Sequence, residues 1–300
     1  MASPLFRAAA TPRGLSPARD RPRPLVAEQG GLKESHGPPP GYAFTAREIL
    51  QGLENDEFEP FFQPKIHLRT LRVVGAEALA RWRHPLLGIV GPQAFVEILD
   101  EAGKLDRLSH CMLTKAARFG RSLDQAGFSG TMAVHLSLTS LADGPLAQEL
   151  MAGTRSPHLD PRQVVLAISP GSAPVERAKA IDNLALLRKE GFALSIDAGA
   201  PGYAALQCLA VLPFSEIKID RSQIASAVRF EATKTMLGSS IHRARGLGIQ
   251  SVAARIETRV QWHLLAELRC DIAQGYCIAK PMSAAAYLDW LGAWPRRQRH

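Results

Sequence analysis

From Thr45 to about Trp294 the chain alternates short apolar runs with amphipathic stretches. FEPFFQPKIHL (58–68) and VVGAEALARW (73–82) read as strands joined by the short Leu68–Arg72 turn. TMAVHLSL (131–138), VVLAISP (164–170), FALSID (192–197), EIKID (216–220), IQSVAAR (249–255) and DIAQGYCIA (271–279) are further strand candidates. Each is apolar without strict alternation, the pattern of strands buried on both faces. Helical patterns fall between them, near Pro92–Ala102, Lys104–Ala126, Val175–Lys189, Tyr203–Val211, Arg229–Arg245, Thr258–Leu268 and Ala284–Trp294. In Val175–Lys189, for example, Ala178, Ile181, Leu184, Ala185 and Leu187 are flanked by charge. Strands that each lead into a helix predict a parallel sheet with helices outside. About eight of them in roughly 250 residues predict a closed α/β barrel of the (β/α)8, TIM-like kind. No sequence repeat at a fixed period is present, which excludes a solenoid.

Composition changes this picture mainly at the ends. Residues 1–45 hold eight of the chain's 21 prolines and no sustained apolar periodicity, the texture of a disordered leader. The expected organisation is therefore a leader over 1–45, a barrel domain over 46–294 and a basic tail over 295–300. Of the net charge of +8, the leader carries +3, the last five residues +3 and the domain +2. A nucleic-acid-binding domain concentrates charge on its folded part, so nucleic acid is not the expected partner. No run reaches the roughly 18 apolar residues of a membrane span, and the start lacks a secretory apolar core. A cytoplasmic location without a membrane partner is expected. Cys111, Cys208, Cys270 and Cys277 form no CxxC pair and read as reduced, buried thiols.

In such a barrel chemistry gathers at the C-terminal strand ends. Those ends offer Gln63, Glu77 with Arg81, His135 with Ser137, Ser169, Asp197, Lys218 with Asp220, Glu257 and Gln274. Asp197 and Asp220 also suit helix N-caps. Glu77 is harder to read as a cap, because Val73, Val74, Ala76, Ala78 and Leu79 surround it in sequence. A carboxylate there must be paired, metal-bound or neutral.

These residues stand in recognisable company. GAEALARWRHPLLGIVGPQAFVEILDEAG (75–103) resembles the signature segment of the EAL-domain family of cyclic di-GMP phosphodiesterases. Gln63-Pro64, GYAAL (202–206), LPFSEIKIDRSQI (212–224), AARIET (253–258) and CDIAQGYCIAKP (270–281) follow in family order. The resemblance covers about 46–294 and implies a barrel whose first strand runs antiparallel to the rest. It implies hydrolysis of cyclic di-GMP to linear pGpG at a two-metal site holding Mg²⁺ or Mn²⁺. On that resemblance Glu77, Asp197 and Glu257 match metal ligands, Lys218 the lysine that orients water, and Gln274 a glutamine near the metal-bound oxygens. Gln63, Leu79 and Arg81 complete the implied ligand-binding set, and Glu77, Lys218 and Glu257 the catalytic remnant.

Other family positions are changed. A ligand Asn is His135, a ligand Glu is Ala167, and a loop-steadying Glu is Pro170. The second Asp of DDFG is Ala198, and the loop continues through Pro201 to Tyr203, a candidate base-stacking ring. The first Glu of AEGVE is Ala254, and the Gly after it is Arg255. Loss of a general acid or base alone costs about 10²–10⁴ in rate. Loss of three cluster carboxylates removes the charge that holds two dications together. The expectation is a degenerate domain with no resident cofactor, Mg²⁺ or Mn²⁺ belonging only to residual turnover. Shedding acids and gaining Arg255 should tilt the pocket positive and favour a metal-free phosphate ligand. Two alternatives stay open, a residual phosphodiesterase and a protein-interaction module that ignores the nucleotide. Motility or biofilm control would suit the family, with an unnamed protein partner and a homodimer left open.

Overall fold

The computed structural model describes residues 43–143, 146–153, 160–169, 177–198 and 214–297. A first helix, α1 (Ala46–Glu54), precedes the hairpin of β1 (Phe58–His67) and β2 (Val73–His84), which β3 (Gly88–Val90) extends. Helices α2 (Val96–Glu101) and α3 (Leu105–Gln125) lead to β4 (Thr131–Ser137), then α4 (Leu138–Asp143) and α5 (Leu146–Gly153) to β5 (Val164–Ser169). Helix α6 (Arg177–Lys189) precedes β6 (Ala193–Ala198). After β7 (Glu216–Ile219) come α7 (Arg221–Arg229), α8 (Glu231–Gly246) and β8 (Gln250–Ala253). Helix α9 (Arg259–Glu267), β9 (Ile272–Ala273) and α10 (Ala284–Arg297) complete the chain.

The sheet closes. Its order is β1-β9-β8-β7-β6-β5-β4-β2-β3, and β1 pairs back onto β2, so eight strands form a barrel with β3 hung on the outside. Strand β1 is antiparallel to both neighbours, from Phe58↔Trp82 to Lys65↔Gly75 on one side and at Ile66↔Ala273 on the other. The strands from β2 through β4 to β9 pair in parallel. The barrel and its antiparallel first strand are thus as expected.

Alternation on each strand sorts the core. On β2, Trp82 faces outward and packs with Phe44, Phe58 and Phe95, while its indole N–H donates to Glu57 Oε2 at 2.8 Å. Gly75, Glu77, Leu79 and Arg81 hold the opposite parity and face the interior. Gly75 must lack a side chain, because a Cβ would lie 2.2 Å from the Thr131 carbonyl oxygen on the adjoining strand. Beside it, the Lys65 ammonium is buried against both Glu216 carboxylate oxygens at 2.7 Å. This ion pair fills the barrel one layer below Glu77.

Several boundaries depart from the sequence pattern. Helices α1, α4, α5 and α7 were not foreseen; α1 is closed by a capping box between Thr45 and Glu48. Asp220 does cap α7, accepting from the Ser222 N–H. The strand expected over 271–279 stops at Ala273, because Gly275 turns the backbone at φ +155°. Helix α10 runs to Arg297, so residues 295–297 of the expected tail are helical. The leader through residue 42 and the helix expected at Tyr203–Val211 lie outside the described residues. Cys111, Cys270 and Cys277 are free thiols, and burial pushes Cys270 and Cys277 up to about 11. No described helix is long and apolar enough to cross a membrane.

Candidate functional site

The site is assembled at the C-terminal ends of the parallel strands. Gln63 and Glu77 are register partners across β1 and β2, while His135 stands at the end of β4 and Lys218 on β7. Gln274 follows β9 directly, positioned by the Gly275 turn. A Cβ at Gly275 would meet the Ile256 backbone N and O at 2.2 Å, so only glycine fits.

Glu77 is the hub of this site. Its Oε1 accepts from the Lys218 ammonium and lies 2.5 Å from His135 Nε2. Its Oε2 accepts from Gln274 Nε2 at 2.5 Å. The same Gln274 nitrogen donates to Gln63 Oε1 at 3.0 Å, and Gln63 Nε2 donates to the Ala279 carbonyl at 2.9 Å. Lys218 Nζ and His135 Nε2 are 3.4 Å apart. Glu77, Lys218, Gln63 and Gln274 are buried, whereas the His135 side chain is 42% exposed and opens the cluster to solvent. Burial alone would raise the Glu77 pKa. The charges of Lys218 and then His135, with their hydrogen bonds, outweigh it and hold the carboxyl well below the usual range.

The remaining sequence candidates separate. Arg81 is buried, donates to the Ala80 carbonyl at 2.9 Å and lies over the Phe61 ring at 5.4 Å from its centroid. Leu79 is half-buried opposite Phe61. Asp197 is the register partner of Lys218, but its side chain lies outside the described residues, as do Pro170, Pro201 and Tyr203. Glu257 does not join the cluster. Its exposed carboxylate is held by Arg221 through two 2.8 Å contacts at the start of α7. Arg255 is exposed rather than inside the cavity; its charge helps depress Asp220, after the Ser222 hydrogen bond. Its φ of +58° occupies left-handed backbone that costs an ordinary residue about 1–2 kcal/mol. A residue left out of the candidate ligand set, His135, is thus a full member of the network. Its parity was the available signal, since it stands two residues beyond Ala133, the partner of Glu77.

Magnesium and manganese need several anionic oxygens. Here an ammonium already sits on Glu77 Oε1, and the register partner of His135 is Ala167. Ala254 continues β8, and Glu257 is tied to Arg221. Among the described residues, no three His, Cys, Asp or Glu side chains are grouped to hold a metal ion. The described side chains, among which that of Asp197 is not included, do not fit a two-metal centre. They fit an internal ion pair with hydrogen-bonding arms.

Residues 46–281 match the EAL domain family. The cyclic di-GMP phosphodiesterase RocR of Pseudomonas aeruginosa is 33% identical over 246 residues, covering 82% of this chain and 63% of the relative. The cyclic di-GMP phosphodiesterase NbdA of the same organism is 32% identical over 248 residues, covering 82% of this chain and 32% of that protein. The chain thus spans less than two-thirds of the length of these curated relatives. Among solved structures, the PaMucR phosphodiesterase in complex with c-di-GMP superposes with a TM-score of 0.73 at 28% identity, covering 80% of this chain and 98% of that one. The EAL enzyme Bd1971, in its cAMP and cyclic-di-GMP bound form, also gives 0.73 at 28% identity, covering 82% and 67%.

Proposed function

Since this chain belongs to the EAL domain family, we propose that it is a non-catalytic receptor domain that binds cyclic di-GMP without metal. It would act in the cytoplasm as a regulatory module, passing ligand occupancy to a protein partner. The observation that carries this reading is the state of Glu77. Both oxygens of the carboxylate are engaged, Oε1 by Lys218 and His135 and Oε2 by Gln274, so a cationic side chain already compensates its charge.

Charge supports it. A dinucleotide bearing two phosphates would be repelled by an uncompensated acidic pocket. In this chain Ala167, Pro170, Ala198 and Ala254 replace acids of the family pattern, and Lys218 neutralises the retained Glu77. Arg81, stacked on Phe61, adds a permanent cation of the type suited to phosphate. Lys218 acts here as an ammonium fixed by a carboxylate, doing statically what a dication does in a metal-dependent relative. Positive donors pre-placed by buried partners lose little entropy when an anion arrives.

Isothermal titration calorimetry with cyclic di-GMP in excess EDTA tests the proposal, and saturable binding is the expected result. A flat titration defeats the receptor reading. Chromatographic detection of pGpG with Mn²⁺, abolished in Glu77→Ala, would instead establish residual phosphodiesterase activity.

A further inference from the structure

The hydrogen bonds around Gln274 leave no freedom in how its amide is oriented. Gln63 Nε2 donates to the Ala279 carbonyl, which turns Gln63 Oε1 toward Gln274. Gln274 Nε2 then spends both hydrogens, one on Gln63 Oε1 and one on Glu77 Oε2. Gln63 Oε1 is fixed as an acceptor by the Ala279 contact, and Glu77 already takes the Lys218 ammonium on its other oxygen. Flipping the Gln274 amide would set its carbonyl oxygen against two acceptors. The orientation is locked, and Gln274 Oε1 is left buried with no donor among the described residues, in a residue 2% exposed. A buried acceptor without a donor carries its full desolvation penalty, so the fold is incomplete at this atom until a donor is supplied.

We propose that Gln274 Oε1 receives the ribose 2′-hydroxyl of the bound cyclic dinucleotide and so selects ribose over deoxyribose. This deepens the receptor reading and rests on it. The two oxygens of one carboxylate bridge the Gln274 amide and the Lys218 ammonium, which places the orphan acceptor one side chain from the cation. A phosphate drawn to that cation brings with it the sugar carbon next to the esterified one, and that carbon bears the 2′-hydroxyl. Donors on the base lie across the sugar from the phosphate. A hydroxyl is also the donor an acceptor of fixed orientation discriminates best, because its loss strands the acceptor rather than merely omitting a contact.

The test is calorimetry in EDTA with cyclic di-GMP and its 2′-deoxy counterpart. Wild-type protein should bind the ribonucleotide about tenfold or more tightly. Gln274→Met should weaken the ribonucleotide to the level of the deoxy compound while leaving the latter unchanged. If that variant does not fold, the wild-type ratio alone decides. Equal wild-type affinity for the two ligands means that Oε1 holds only a water, which overturns this assignment and leaves the receptor reading standing. No binding of either ligand overturns both.

Discussion

Lys218 and Glu77 reach each other from diametrically opposite strands of the barrel, β7 and β2, with three strands between them on either side. The contact crosses the interior because the inward residues on the intervening strands are small; Ala133 and Ala167 stand where larger side chains would block it. Removing one partner should therefore hurt far more than removing both. Lys218→Met leaves a buried carboxylate short of its main counter-charge and should cost about 3–5 kcal/mol in urea unfolding. The double variant Glu77→Gln with Lys218→Met should lose clearly less than the sum of the single changes. Additive losses would show that the pair does not interact in solution.

Metal affinity should be recoverable by restoring the missing oxygens. Introducing Ala167→Glu, Ala198→Asp and Ala254→Glu with His135→Asn supplies the anionic ligands that hard dications require. Millimolar Mn²⁺ should then raise the melting temperature of this variant and leave the wild type unmoved. An equal Mn²⁺ shift in both proteins would contradict the reading of the site as an internal ion pair.

Glycine is demanded at one place beside the site and merely tolerated at another. Gly275→Ala forces a Cβ within 2.2 Å of the Ile256 backbone at a φ of +155°. It should cost more than about 3 kcal/mol and abolish nucleotide binding through the displaced Gln274. Gly292→Ala, on an open face of α10 with no atom near the new Cβ, should be neutral or stabilising by up to about 1 kcal/mol. Comparable melting temperatures for the two variants would refute the close approach at Gly275.

Asp271 gives the pH prediction. Burial raises its pKa, but hydrogen bonds from the Ser251 backbone and hydroxyl and the charge of Arg245 reverse this, leaving it depressed. A depressed carboxyl stabilises the fold above its unfolded pKa of about 3.9 and loses that contribution as pH falls through the folded value. Asp271→Asn should destabilise by about 1–3 kcal/mol at pH 7. Chemical denaturation of both proteins across acid pH should show the gap shrinking below about pH 4. A constant gap would assign the loss to packing rather than ionisation.

The barrel was legible because each strand is an apolar run ended by polar residues, and Glu77 stood out as a carboxylate set among apolar neighbours. Less could be read where a residue's partner is remote in the chain. Glu257 was assigned to the cluster by its motif, yet Arg221 at the start of α7 takes its carboxylate. His135 looked like a substituted ligand, and only closure of the barrel brings its imidazole to Glu77. The strand expected over 271–279 is cut short at Ala273 because Gly275, a backbone effect, interrupts an apolar run that looks continuous.

The amino-acid order on its own settled the alternation of strands and helices, a local property of composition and spacing, and its resemblance to the family implied the loss of acids at 167, 198 and 254. It could not settle what became of Glu77. A carboxylate on an inner strand face can hold a metal, a proton or a cationic side chain, and the choice depends on which groups 58, 141 and 197 residues away converge on it. Ring closure makes that convergence, because it brings opposite strands within side-chain reach and excludes the water that would otherwise screen their charges.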